Sequence, residues 1–577
     1  MGFSSRFSHV RTRSMQQTRS FNINCPQQTP TPTINGYCYC YGYGAHQTIS
    51  ISLFTHTHTH THTHHHISLF THTHTHTHPT PPPPSTPSTM SSSAAASNRV
   101  AVHSKLTVVS DTPIDPGKTY PLSTLDHAMA LHTLHLIFYY RYDRRDDDLG
   151  RLRHSLAEVL SQYPPVTGRL RRRPQDGNWE IKCNDAGVRV LKAKVAATLD
   201  EWLSAAASGG GGCEEMDLAV WEDMPDEPNV WSPFRVQCIT HTLIEYCHVS
   251  NFGMSIMLTG SDFAKVPVHT VAEMNDFEGG GLAIGLSCPH MHADPTCATF
   301  FMKSWTDMYR QASLSHPPFF HPPGLRGRET PKTNTKSAKY YESKSKMETP
   351  VSLKMSTATF RFSEKTIKNL LSDIHNRCPD ATPFEVLAAL FWSSISNFKT
   401  HVGNQPCSSI SICIDIKKRM YAPLPHGFFG NALHFSRVSC NLTEMHEGVL
   451  DHLTAQIHEH LSNLDEEEFW SAIEWLESKK SAEGQLPPPF TMYGPELTFA
   501  NLEHVQAYAA MLGNSKPAHV SYHVGGVKGE GLVLVLPSPE EGLGRTVMVT
   551  LPEGEATKLC EDQAILQLEP TILLTGR

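Results

Sequence analysis

Carboxylates are absent from the first 89 positions of this 577-residue chain, although the whole carries 56 Asp and Glu against 48 Lys and Arg. The same stretch repeats ISLFTHTHTHTH, starting at Ile51 and again at Ile67. Strict His-Thr alternation is what a CA dinucleotide repeat encodes. We therefore expect residues 1–89 to be a translated upstream segment outside the native protein, with folded chain from Met90. A transit peptide would also lack acids, but His-Thr and proline tracts make poor amphipathic helices. The myristoylation pattern fails because Arg6 stands where Ser or Thr is required. Metal capture by the histidine tract is chemically open to it and incidental.

Other absences narrow the function. No apolar run approaches the roughly 18 residues that span a bilayer, so we expect no transmembrane segment. A net charge of −8 provides no basic footprint, which sets nucleic acid aside as a partner. The 14 cysteines are scattered, with a C-x-C pair at Cys38 and Cys40 but no CxxC. Neither a zinc site nor a disulfide framework is indicated, and reduced thiols suit a cytoplasmic location. The glycines at 209–212 are joined by no P-loop lysine or GxGxxG, so they read as a surface loop that ends the helical stretch 199–207.

The stretch that organises the rest is 279–310, GGGLAIGLSCPHMHADPTCATFFMKSWTDMYR. The apolar run 282–286 is short and halts at Pro289, which suits a buried strand. Asp294 followed by Pro295 is a helix-start signal: aspartate accepts from first-turn N–H groups, and proline needs no donor at the first helical position. Ala298, Phe301, Trp305 and Met308 then fall on one face of the helix. His290 is thereby placed at a strand end. A neutral imidazole there is a candidate general base, able to take a proton from a hydroxyl or amine as it attacks a carbonyl. The bland alternative is a turn histidine satisfied by backbone, with Asp294 only a helix cap.

Several further segments, in order, resemble the BAHD family of plant acyl-CoA-dependent acyltransferases. YPLSTLDHAM at 120–129 is similar to the family's opening LSxLD segment, and RLRHSLAEVLSQYPPVTGRL at 151–170 to its helix and turn. WEIKCNDAGVRVLKA at 179–193 resembles the hairpin that follows, and HMHAD matches the HxxxD motif. TPFEVLAALFW at 382–392, IDIKKRMYAPLPHGFFGNA at 414–432 and the closing strands at 531–553 resemble the second half. The resemblance implies an α/β fold of two similar-sized domains, each a mixed sheet flanked by helices, with a channel between them at His290. It also implies acyl-CoA as co-substrate with no bound cofactor or metal, a small-molecule acceptor, and a monomer.

On this basis the expected domains are residues 90–312 and 350–577, joined by a Pro-, Lys- and Ser-rich crossover linker at 313–349. Lysines in that linker either meet a CoA phosphate or are simply solvated. The strand at 232–237 should lead almost at once into the strand before His290, yet some three dozen residues intervene. We expect 238–274 to be an insertion or retained intron, the alternative being a mobile loop over the site entrance. The helical stripe Phe384, Leu387, Leu390, Phe391 and the acidic helix at 464–480 read as structural.

Three departures from the family pattern stand out. MLGNSKP at 511–517 replaces DFGWGKP, keeping Gly513, Lys516 and Pro517 but losing the acid, and Pro295 replaces a glycine. The VDxRxR run carries Lys417 and Arg419, so the ion pair expected to orient Asp294 has a lysine in place of a forked guanidinium. With the tail KPAHVSYHVGG, these departures resemble the eceriferum-type subgroup. That resemblance implies a role in cuticular wax formation, at the endoplasmic reticulum beside a fatty acid elongase condensing enzyme. Two functions stand: an acyltransferase with His290 as base, and an accessory protein of very-long-chain elongation in which His290 is a remnant.

Overall fold

The computed structural model describes residues 100–577 except 116, 143–147, 205–214, 241–280, 321–324, 326–334, 349, 401–408, 421–423, 441–447 and 577. Residues 1–89, the glycines at 209–212 and most of 238–274 lie outside the described residues.

Two mixed sheets carry the fold, and both take their strands from β-branched and aromatic runs. The first contains β1 (Val100–Val108), β3 (Thr133–Tyr140), β6 (Val188–Val195), β7 (Arg235–Thr240), β8 (Leu282–Pro289) and β13 (Pro517–Gly525). Its order is β1-β6-β7-β8-β3-β13, antiparallel except for β6 and β7. β3 is buried on both faces, as a central strand must be. Leu134, Leu136, Phe138 and Tyr140 enter the main core, and Ile137 and Tyr139 a smaller one behind the sheet. β8 alternates likewise, sending Leu282, Ile284, Leu286 and Cys288 into the main core.

The second sheet runs β11-β10-β12-β14-β15-β9-β16. Its strands are β9 (Met355–Phe362), β10 (Ser409–Asp415), β11 (Leu433–Ser439), β12 (Thr498–Asn501), β14 (Leu532–Pro537), β15 (Arg545–Pro552) and β16 (Thr571–Gly576). β12 pairs in parallel with β10 and β14, and the other pairs are antiparallel. The helix Pro383–Thr400 packs against β14 and against the helices Val449–Ser462 and Glu553–Cys560. Its expected stripe proves wider, because Val386, Ala388, Ala389 and Trp392 are fully buried beside Phe384, Leu387 and Phe391. The architecture is therefore α/β, with two mixed sheets flanked by helices.

Three expectations are corrected. Residues 179–193 are not one hairpin. β5 (Trp179–Lys182) pairs with β4 (Arg169–Arg172) and β2 (Thr119–Pro121) in a separate small sheet, while β6 joins β1 and β7. The chain turns between them with left-handed backbone at Asp185 (φ 48°) and Gly187 (φ 80°), and the Asp185 carboxylate holds Ser110. The stretch 313–349 is more than a linker, since its helix Lys336–Ser345 buries Tyr340 and Tyr341. Nor does the suspected insertion begin at Cys238, which is buried within β7 and pairs with Ile284 of β8. β7 and β8 are antiparallel neighbours across the intervening segment.

The halves also interlock. β13, from the C-terminal part of the chain, forms the edge of the first sheet beside β3, with His519 opposite Tyr139 and Gly525 opposite Thr133. Sequence order separates these strands by some four hundred residues, so no local signal announces the pairing.

Candidate active site around His290

The turn between β8 and the helix Pro295–Tyr309 carries His290 and Asp294, both fully buried. Asp294 caps the helix: one carboxylate oxygen accepts from Cys297 N at 2.9 Å, and Pro295 occupies the first turn. Ala298, Phe301 and Trp305 bury against the same core as β8, and the Trp305 indole donates to Leu152 O at 3.1 Å. Met308 is partly buried against that core. The turn is held at both ends.

Two backbone contacts fix His290 further. His290 N donates to His132 O at 2.9 Å, and Asn431 Nδ2 donates to His290 O at 2.8 Å. The same amide group, with Asn431 N, also donates to Asp126 Oδ1 at 2.9 and 2.8 Å. Asp126 is itself buried, and desolvation pushes its carboxyl above the usual range against these donors. The LSTLD segment and the FFGNA segment thus meet at the histidine's main chain.

The imidazole lies in a dry setting. Burial pushes it down to about 4, so it is neutral at physiological pH. Nε2 lies 3.3 Å from the Tyr493 hydroxyl, and the Asn431 side chain favours the charged ring without outweighing burial. The channel expected at His290 is closed here. A cavity of about 550 Å³ is lined by residues including Leu131, Lys344, Trp475 and Phe490, and one of about 390 Å³ by Thr296, Asp415, Lys417 and His504. His290 lines neither.

Asp294 faces away from the imidazole, toward Lys417. The Lys417 ammonium pairs with Asp294 and lies 3.3 Å from Asp415 Oδ2. Burial opposes its charge, but the Asp294 and Asp415 carboxylates outweigh that and hold the ammonium above its ordinary range. Asp415 is also met by Thr296 Oγ1 at 2.9 Å and His504 Nε2 at 3.2 Å. The lysine that replaces the forked arginine is therefore shared between two carboxylates, with His504 and Thr296 completing the set. Arg419 is not part of it: it is exposed and reaches Leu461 O at 3.5 Å.

Gly513 lies beside Tyr142, in the turn that leads into β13. Its φ of +58° is left-handed, and Leu512 and Ser515 close the turn through paired 3.0 Å backbone hydrogen bonds. The support expected from the lost acid is replaced by burial of Leu512 and a 2.8 Å bond from Tyr140 OH to Ala510 O. Sequence reasoning singled out neither Asn431 nor Asp415, although both lie in the quoted motif run. Tyr493 and His132 lie in no motif, and nothing in their neighbours marks them.

A family model described as "Transferase family" matches residues 98–209 and 255–566. The chain belongs to this family, the BAHD acyltransferases. Protein ECERIFERUM 2 of Arabidopsis thaliana is 26% identical over 464 residues, covering 79% of this chain and 96% of that protein. Hydroxycinnamoyltransferase 1 of Oryza sativa subsp. japonica is 24% identical over 416 residues, covering 70% and 84%. The crystal structure of vinorine synthase shares the fold, with a TM-score of 0.57 at 18% identity over 80% of this chain and 98% of that one. That of F. graminearum TRI101 complexed with coenzyme A and T-2 mycotoxin gives 0.59 at 12% identity, over 79% and 100%. Family membership places the chain among acyl-CoA-dependent acyltransferases for groups other than aminoacyl groups, whose co-substrate is acyl-CoA. Among the described residues no helix is long and apolar enough to cross a membrane.

Proposed function

We propose that this chain moves an acyl group from acyl-CoA to an alcohol or amine within very-long-chain lipid or cuticular wax metabolism, with His290 as the general base. The observation that carries this reading is a neutral imidazole, fixed at its main chain by Asn431, whose Nε2 faces a hydroxyl. An acceptor O–H or N–H at that place transfers its proton to Nε2 as its lone pair attacks the thioester carbonyl. The tetrahedral oxyanion then collapses, the carbon–sulfur bond breaks, and the imidazolium returns the proton to the departing thiolate. Asp294 acts through position only, since it caps the helix and pairs with Lys417.

A second reading is favoured by the sealed imidazole and by the extent of the match to Protein ECERIFERUM 2. In it the fold assists a fatty acid elongase condensing enzyme at the endoplasmic reticulum, the protein itself being cytoplasmic and recruited there by that partner. His290→Ala separates the two. Loss of a general base lowers CoA release by about a hundredfold to ten-thousandfold, and that is the result expected with long-chain acyl-CoA and an alcohol. Full rescue of wax chain length by the Ala variant, with no CoA release from the wild type either, overturns the catalytic reading.

A further inference from the structure

Tyr493 sits where a reacting group would have to sit. Its hydroxyl is 3.3 Å from His290 Nε2 and 3.9 Å from Cys413 Sγ, and the whole residue is buried. The ring packs edge-on against His132 and Phe435, with centroids 5.1 and 5.2 Å away. Taking this hydroxyl for an inert neighbour leaves His290 without room for any acceptor, because the imidazole exposes no surface.

The backbone beneath Tyr493 is fastened. His132 Nε2 accepts from Met492 N at 3.2 Å and from Tyr493 N at 3.3 Å, while His132 Nδ1 faces Gly525 O at 3.1 Å. Two N–H donors at Nε2 assign the ring proton to Nδ1, so His132 is a neutral clamp bridging this segment to β13. Gly494 follows with φ +99°, and any Cβ there would run into the Lys528 carbonyl oxygen. Its own carbonyl accepts from Glu530 N at 2.7 Å. With Cα held on both sides, the phenol can leave His290 only by rotating about its side-chain bonds.

The residues flanking Tyr493 face a cavity. Phe490, Thr491 and Pro495 line the cavity of about 550 Å³, whereas Met492, Tyr493 and Gly494 between them turn inward. One short segment thus has the cavity at its ends and His290 at its middle. The cavity wall has an apolar side, with Leu131, Trp475, Leu476 and Leu486 beside Phe490, and a charged side at Lys344, Glu348 and Lys479.

We propose that Tyr493 is the positioning residue of the acyl-transfer site: its hydroxyl holds the acceptor's place at His290 Nε2, and its rotation admits the hydroxyl of an apolar-bodied alcohol seated in the Phe490–Trp475 cavity. This rests on His290 being the base. In the resting state the phenol keeps Nε2 dry and blocks water, which would otherwise hydrolyse the thioester. In the loaded state the alcohol takes over the same hydrogen bond, so specificity falls to molecules whose hydroxyl reaches past the segment while their body fills the cavity. Burial and the nearby Cys413 keep the phenol far above its usual range, so it stays protonated and gives way rather than reacting.

The test reads His290 directly, without needing turnover. Diethyl pyrocarbonate labels neutral, accessible imidazoles, and fragment mass spectrometry separates His290 from His292, which is equally buried and reports unfolding of the turn. In Tyr493→Ala the labelling rate of His290 should rise about tenfold or more, since no local opening is needed, with His292 unchanged. Tyr493→Phe keeps the ring and removes one hydrogen bond of about 1 kcal/mol, for an expected rise of about fivefold; it decides the matter if the alanine variant labels both histidines. A His290 rate equal to wild type in the folded phenylalanine variant overturns the proposal. CoA release is measured in parallel with a long-chain alcohol and with water alone. A rise in water-driven release in Tyr493→Ala, lost again on adding His290→Ala, is the result expected. Faster labelling with no CoA release in any variant supports the seal and removes the acyl-transfer reading instead.

Discussion

Asn431 Nδ2 donates to the main-chain carbonyl of His290 at 2.8 Å, and with its other donors Asn431 holds the buried carboxylate of Asp126. One asparagine therefore ties the helix Thr124–Ala128 to the histidine turn. Replacing it with alanine leaves the His290 carbonyl unmet and takes a donor from Asp126. Leaving a buried polar group unsatisfied costs about 1–3 kcal/mol, so Asn431→Ala should unfold at correspondingly lower urea. Because the turn that carries the imidazole is what loosens, kcat should fall more than KM rises, read by CoA release at saturating and limiting acyl-CoA.

Lys417 is the cation between two buried carboxylates, and its removal should be costly. Breaking a buried pair by deleting one partner typically costs about 3–5 kcal/mol, and Lys417→Met leaves both Asp294 and Asp415 without the ammonium they share. Lys417→Arg restores the charge and should keep most of the stability. Arg419→Ala, at an exposed side chain, should stay within about 0.5 kcal/mol of wild type. Urea melts of the three variants check the ranking, and equal midpoints for the Met and Ala variants would contradict it.

Acid should weaken the fold before it protonates the site. Burial pushes His290 down to about 4, and His132, His135, His292, His434 and His519 to about 3, from an ordinary value near 6.5. Below about 6.5 the unfolded chain takes up protons that the folded chain refuses, so stability falls as pH drops from there toward 4. Each such group contributes at most about 1.4 kcal/mol per pH unit. Melting temperature should therefore decline steadily below pH 6.5. The kcat profile, measured while the protein remains folded, should show no acid inflection near 6.5, because His290 is still neutral there.

The two unusual segments can be removed and the outcome measured. A chain beginning at Met90 should keep the melting temperature of the full chain. β7 and β8 face each other with Ile239 opposite Ala283, so replacing 242–279 with a turn of about two to five residues closes an ordinary hairpin. That variant should fold with Arg235 still opposite Ser287. Failure of the shortened chain to fold would show that the intervening residues are needed.

The histidine turn was legible without tertiary information, because it is a local matter. A short apolar run stopped by Pro289, an aspartate cap, Pro295 and a helical face at Ala298, Phe301 and Trp305 are chemically complete within thirty residues, and the structure keeps each of them. The family could be read the same way, from ordered short motifs. Tertiary structure decided the partners. Whether 179–193 made one hairpin depended on which sheet edge each strand could reach. Whether Arg419 or Asp415 joined Lys417 depended on the direction of the chain after β10, and the sealing of His290 depended on a tyrosine some two hundred residues away. Backbone geometry and capping act over a few residues, so sequence determines them. Desolvation, ion pairing and strand exchange act between surfaces that exist only once the chain has closed, and for this protein they determine what His290 can meet.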